Sequence, residues 1–489
     1  MLKNIIPCYL NIEIEVLFYI IKKKSTTLND VSASLGVSKR IVKENIIKIN
    51  TSMEDYFSVI GFIVSNNFGS ICVNSNYKYC SLEYAYNLRL YLLKSNVLFN
   101  CCVKLVTHSK ISREHLIRSL FISEYYLPKL IHKLNIFFEE FGITILNNQG
   151  IYCLEGNELS IRLFSYLFLQ DAFQEVDWPF EDIPKPQQIL QNSDKWASTK
   201  KRALYLLYTV LSIRVADNKF LIAPFSKDMM SFFEIIYQDF DISSLIHPNF
   251  FSIIKLGKSK KIEMLYFSFL SRIFLPYIFS MEQKKKLGKY FSTSEHPFCI
   301  LAKKIFTKIA SLINVNGLEN DERKYLYLYY IVIFNAWCLL NDENKDVLSF
   351  YIPFTHFELP QNTLLFSKIK EEILSVVNDR KHTNLLSNLI CSLSISEKKG
   401  QLSIYIQVIK SFTTEIFIRN RLTSFYNKQN IYITDSYDEA DIVITDTYER
   451  FNKSSGKEIF YLDSIEDELI LNELNELIRI KYREKLRNN

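Results

Sequence analysis

The sequence predicts a mainly α, multidomain protein that opens with two winged helix–turn–helix domains and closes with a small α/β domain. Three observations carry this. Hydrophobic residues make up 48% of the chain while glycine and proline number only 11 each in 489 residues, as in a folded, helix-rich protein. Residues 31–50 and 111–141 each read as a helix–turn–helix with a hairpin behind it. The last ninety residues alternate short β-favouring runs with helical ones, the pattern of a largely parallel sheet. At roughly 100–200 residues per domain, the length holds about three to five domains.

In the first unit, residues 27–35 form a short helix that stops at Gly36, the residue that takes a left-handed turn most readily. Ser38 then caps a helix running to about Asn50. Val42, Ile46 and Ile49 make its apolar stripe, and Lys39, Arg40 and Lys43 project from another side. A capped, basic second helix turned outward is how such a unit lays side chains into a DNA major groove. Residues 60–65 and 71–74 are the strands of a wing, with turn residues at 66–69.

The second unit repeats the plan. Leu127, Leu130, Ile131, Leu134, Phe138 and Phe141 form the buried stripe, and Tyr125, Lys129, His132 and Lys133 lie opposite. Arg113 and His115 start the preceding helix, where they can meet backbone phosphates. Pro128 lacks a backbone donor, so the recognition helix begins after Ser123 or bends there. The wing strands are residues 143–146 and 151–154 around Asn147, Asn148, Gln149 and Gly150.

Beyond residue 156 the middle of the chain is helical. A connector at 178–191 carries Pro179, Pro184 and Pro186, and two apolar, Tyr-rich helices at 203–211 and 324–332 suggest duplicated helical blocks. In the C-terminal part, residues 402–409, 431–434, 441–445 and 458–462 read as strands, 413–426 as a helix and 466–487 as a closing charged helix.

Charge is segregated. The formal net charge is +6, and residues 1–150 hold 17 Lys and Arg against 11 Asp and Glu, leaving 42 against 42 elsewhere. A polyanionic partner for the first part accounts for this, since phosphate contacts supply most non-specific nucleic-acid affinity. Nine scattered cysteines with no Cys-x-x-Cys pair point to neither zinc nor a disulfide framework and suit a reducing cytoplasm. No secretory leader and no membrane-length apolar run are read, so the expectation is a cytoplasmic protein without a membrane partner. The 30 Tyr and 37 Phe recur at helical spacing with Leu and Ile, so they read as core rather than as base-stacking platforms. No phosphate loop, catalytic triad or metal-spaced cluster is present, and neither an enzyme nor a cofactor is expected.

The segments 112–116, 122–127 and 130–137, continuing through Gly150-Ile151-Tyr152 and Leu154-Glu155-Gly156-Asn157-Glu158, resemble the Mga/AtxA family of virulence regulators of Gram-positive bacteria. The resemblance implies two winged domains (1–80 and 81–160), two helical phosphotransferase-regulation domains (161–288 and 289–396), and an enzyme IIB-like α/β domain (397–489). It implies a DNA-binding transcription regulator, usually an activator, that dimerises through its C-terminal half. Its partners would be double-stranded DNA, a second copy, RNA polymerase and the phosphocarrier protein of the sugar phosphotransferase system. Two departures stand out. The early helices at 204–216 and 325–338 lack histidine, which leaves His247 and His382, ahead of His296 and His356, as phosphoacceptors. The residues after the first C-terminal strand, 409–412, contain no cysteine, so the IIB-like domain is expected to be non-catalytic. A phosphotransferase-regulated RNA-binding antiterminator is the alternative, although such proteins open with a small β-rich module. A phosphoryl-carrier enzyme is the third reading.

Overall fold

The computed structural model describes residues 2–66, 69–174, 176–183, 198–217, 219, 226–240, 259–313, 321–340, 364–395, 401–408, 412–427, 430–446, 457–462 and 468–488. The chain divides into two compact units, residues 1–388 and 389–489.

The first unit opens with α1 (Cys8–Lys23), β1 (Thr26–Thr27), α2 (Leu28–Leu35), α3 (Lys39–Phe57), β2 (Ile63–Ser65) and β3 (Ser70–Val73). Each boundary has a chemical cause. Thr27 and Asp30 form a reciprocal capping box at the start of α2, and Gly36 closes that helix at φ 65°. Ser38 Oγ accepts from the Ile41 amide to start α3. The strands form an antiparallel sheet of order β1-β3-β2, the winged-helix arrangement. Two details differ from the sequence reading. Helix α3 continues to Phe57, because Met53 extends the buried stripe. That stripe runs Val42, Asn45, Ile49 and Met53; Ile46 is only half-buried, and Asn45 satisfies its amide on the Ile41 carbonyl at 2.8 Å. Strand β2 also starts later than residue 60, since Ser58 and Gly61 both take positive φ and bend the chain.

After α4 (Ser81–Lys94) the pattern returns as α5 (Val97–Thr107), β4 (Ile111–Ser112), α6 (Arg113–Leu120), α7 (Leu127–Glu139), β5 (Ile143–Asn148) and β6 (Ile151–Gly156), with sheet order β4-β6-β5. The β5–β6 turn is Gln149-Gly150, both at positive φ, as a tight two-residue hairpin requires. Gly156 is obligatory: a Cβ there would lie 2.4 Å from the Gly142 carbonyl oxygen. Helix α8 (Glu158–Phe173) closes the second unit by placing Phe164 among Phe137, Phe138 and Phe141, with ring centroids 4.9–5.8 Å apart. The expected domain boundary at 160/161 therefore falls in the first turn of α8.

The remaining helices of the first unit are α9 (Ser198–Ala216), α10 (Lys227–Asp239), α11 (Ser259–Phe274), α12 (Met281–Thr293), α13 (Pro297–Ile309), α14 (Asp321–Leu340), α15 (Leu364–Val377) and α16 (Arg380–Ile395), the last of which runs into the second unit. Both expected Tyr-rich helices, α9 and α14, are largely buried. A charge cluster with little solvent contact ties the second winged unit to α9 and α11. Arg162 of α8 binds both carboxylate oxygens of Glu263 on α11, at 2.5 and 3.1 Å, and Glu158 at 2.9 Å. Arg214 of α9 grips the same Glu158 at 2.7 and 2.9 Å. No single described helix is long and apolar enough to cross a membrane.

The second unit contains β7 (Leu402–Gln407), α17 (Phe412–Phe425), β8 (Ile431–Ile433), β9 (Ile442–Thr445), β10 (Glu458–Tyr461) and α18 (Glu468–Asn488). Its four strands are all parallel in the order β10-β9-β7-β8, over a core that includes Ile404, Ile442, Ile444, Leu422 and Ile478. This matches the α/β reading. Residues 409–411, the place of a nucleophilic cysteine in a catalytic IIB domain, lie outside the described residues.

Candidate nucleic-acid interface

The two winged units superpose in sequence at a spacing of about 85 residues: Thr27 and Ser112 cap the first helix, Gly36 and Phe121 end it, and Ser38 and Ser123 follow. Each recognition helix is pinned to its wing by an asparagine 12 positions after that serine. Asn50 exchanges two hydrogen bonds of 2.8 Å with the backbone of Ile63, and Asn135 accepts from the Ile145 amide at 2.7 Å. Sequence reading missed this pair, although its equal offset was a visible signal. The bonds set the angle between helix and wing, the two parts that straddle a duplex in this fold.

On α3, Lys39, Arg40 and Lys43 are all exposed, as is Lys48 further along. Arg40 Nε meets Glu44 at 2.8 Å in a solvated pair, so a phosphate can compete for it. Ser38 is also exposed, but its hydroxyl is engaged as the helix cap.

On α7, Leu127, Leu130, Leu134, Phe137 and Phe138 are buried, with Ile131 half-buried, while Lys129, His132 and Lys133 face solvent. The helix starts at Leu127, because Pro128 occupies its first turn and residues 123–126 form a separate turn closed by the Tyr126 amide on the Ser123 carbonyl. Tyr125 consequently sits ahead of the helix, 78% exposed, with the Lys129 ammonium 4.8 Å from its ring centroid. Arg113 is half-covered: its guanidinium meets Glu124 at 3.4 Å and its amide donates to the Gly150 carbonyl at 2.7 Å, tying α6 to the wing turn. His115 is exposed and lies 5.9 Å, ring to ring, from His108. Burial, the largest influence on it, holds the His108 imidazole below its ordinary pKa.

The sequence-derived phosphoacceptors are placed differently. His247 lies outside the described residues, as does His356. His382 is 3% exposed, with Nε2 2.9 Å from Asn335 Oδ1, so phosphotransfer from another protein requires α16 to move. His296 accepts from the Phe298 amide through Nδ1 and has Nε2 3.0 Å from both the Asp228 carbonyl and Ser231 Oγ. A pocket of about 320 Å³ lies beside His108 and Lys110 and is lined by three carboxylates, of which Asp217 meets Lys110 at 2.8 Å and Glu181 meets the neighbouring Lys104 at 2.5 Å, so it offers little to a polyanion.

Two winged units of one topology, each turning exposed cations outward from its recognition helix, define a tandem winged-helix nucleic-acid-binding class. Residues 84–169 match the family model for the Mga helix-turn-helix domain, a span from α4 into α8. That match supports the Mga resemblance and, with it, a DNA-binding transcription regulator. The chain matches none of the curated proteins compared with it.

Proposed function

We propose that this chain is a cytoplasmic, Mga-like transcription regulator that binds duplex DNA through both winged units and acts as an activator of virulence or surface-protein genes, engaging RNA polymerase. The observation that carries the reading is the exposed cationic face on two recognition helices, each fixed to a wing by an asparagine. The helical blocks serve as regulation domains that can take phosphate from the phosphocarrier protein, and among their described histidines His382 is buried while His296 is half-buried. The C-terminal α/β unit is non-catalytic, IIB-like and a homodimer contact, so the chain as a whole is not an enzyme. Binding of the full-length protein to labelled duplex DNA and to structured RNA, at matched salt, tests the reading. Duplex should bind more tightly by at least about tenfold; tighter binding to RNA would replace it with the antiterminator alternative.

Self-association has a candidate face. Ile416 and Phe417, successive residues on α17 that share one broad side of the helix, are 50% and 40% exposed. Burying the exposed part of each contributes about 1 kcal/mol, a share of what association requires. Full-length Ile416→Glu/Phe417→Glu should sediment as a monomer at micromolar concentration where the unaltered protein is a dimer. A dimer mass retained by the variant would remove the interface from this helix.

A further inference from the structure

Phe121 occupies an unfavourable position twice over. It ends α6 in the left-handed region, at φ 52° and ψ 45°, where the first winged unit uses Gly36 at φ 65°. Its ring is also 96% exposed, so packing within the chain offsets neither the backbone strain nor the hydration of an apolar side chain. Glycine would remove both penalties.

The neighbourhood tells what the ring is for. Four residues on, Tyr125 is 78% exposed and carries the Lys129 ammonium over its face. Arg118, on the last turn of α6, and Lys133, one turn beyond Lys129, are exposed as well. The two rings therefore stand in the turn that leads into the recognition helix, flanked by cations and by one carboxylate of note, Glu124, which is engaged by Arg113. An apolar protein partner would find this rim strongly cationic, whereas a duplex offers phosphates to the cations and apolar surface, thymine methyls and deoxyribose, to the rings.

We propose that Phe121 and Tyr125 form an apolar contact with duplex DNA, so that the second winged unit binds partly through its aromatic turn and not by phosphate attraction alone. This deepens the DNA-binding reading and rests on it. The first unit, with Gly36 at the same place and Lys39 and Arg40 in the following turn, contributes charge there instead.

The two modes separate in salt. A lost phosphate contact lowers the slope of log K against log salt by about one unit, whereas a lost apolar contact lowers affinity at every salt concentration and leaves the slope alone. The test uses full-length Phe121→Gly and Phe121→Leu on an AT-rich duplex across a salt series, with thermal melting and sedimentation alongside. Phe121→Gly should melt at or above the unaltered protein, since glycine relieves the left-handed strain, yet bind about tenfold more weakly with an unchanged slope. Phe121→Leu should keep most of the affinity. Unchanged affinity in Phe121→Gly would overturn the proposal, and so would a reduced slope, which would assign the effect to phosphates. A changed oligomeric state with DNA binding intact would overturn it in favour of a protein contact. If the unaltered chain fails to bind duplex at all, the underlying reading fails, and the comparison shows that before any variant is measured.

Discussion

Arg162→Met should destabilise the first unit by about 3–5 kcal/mol, because it removes one partner from an ion cluster shielded from water. The Arg162 side chain is 1% exposed and that of Glu263 9%. Burial, the largest single influence, lowers the guanidinium pKa, but the bonds and charges of Glu263 and Glu158 hold it above its ordinary value. Taking the guanidinium away strips Glu263 of its bidentate cation and leaves Glu158 to Arg214 alone. A shape-matched apolar pair in place of both groups avoids that penalty, so Arg162→Met/Glu263→Leu should recover much of the loss. Denaturant unfolding of the full chain reads both variants. A single variant within about 1 kcal/mol of the unaltered protein would show that the cluster contributes little. Since Arg214 also reaches the Leu154 carbonyl in β6 at 3.4 Å, the same cluster anchors the second wing strand to α9.

The second large effect is expected on DNA. Replacing Lys39, Arg40, Lys43, Lys129 and Lys133 together with alanine should weaken duplex binding by at least about a hundredfold at moderate salt, since each is a potential phosphate contact and counterion release is cumulative. All five are exposed, so the fold is expected to survive. Circular dichroism and melting of the variant verify that, and native-like melting with unaltered affinity would move the interface away from the recognition helices.

What could be read from sequence was what local chemistry decides. Gly36 and Ser38 mark a turn and a cap that any chain must satisfy there, and both act as expected. Pro128 moved the start of α7, and with it Tyr125, for a reason visible in one residue. The parallel sheet of the second unit followed from the alternation of strand and helix. Two-residue strands such as β1 and β4 carry no periodic signal, and they exist because a wing strand pairs with them. Asn45 displaced Ile46 from the apolar stripe because the helix turned by a few tens of degrees relative to the assumed face. The ion cluster was illegible for a different reason: Arg162 and Glu263 are 101 residues apart, and no local pattern announces a partner at that distance.

If this chain holds duplex DNA through cations on two recognition helices, its binding must weaken with salt in proportion to the phosphates those cations meet. The most direct test is the slope of log K against log salt for the unaltered protein and the five-cation variant on one duplex. The slope is expected to be shallower by about three to five units in the variant, one per lost phosphate contact. Equal slopes for the two proteins would contradict this mode of binding.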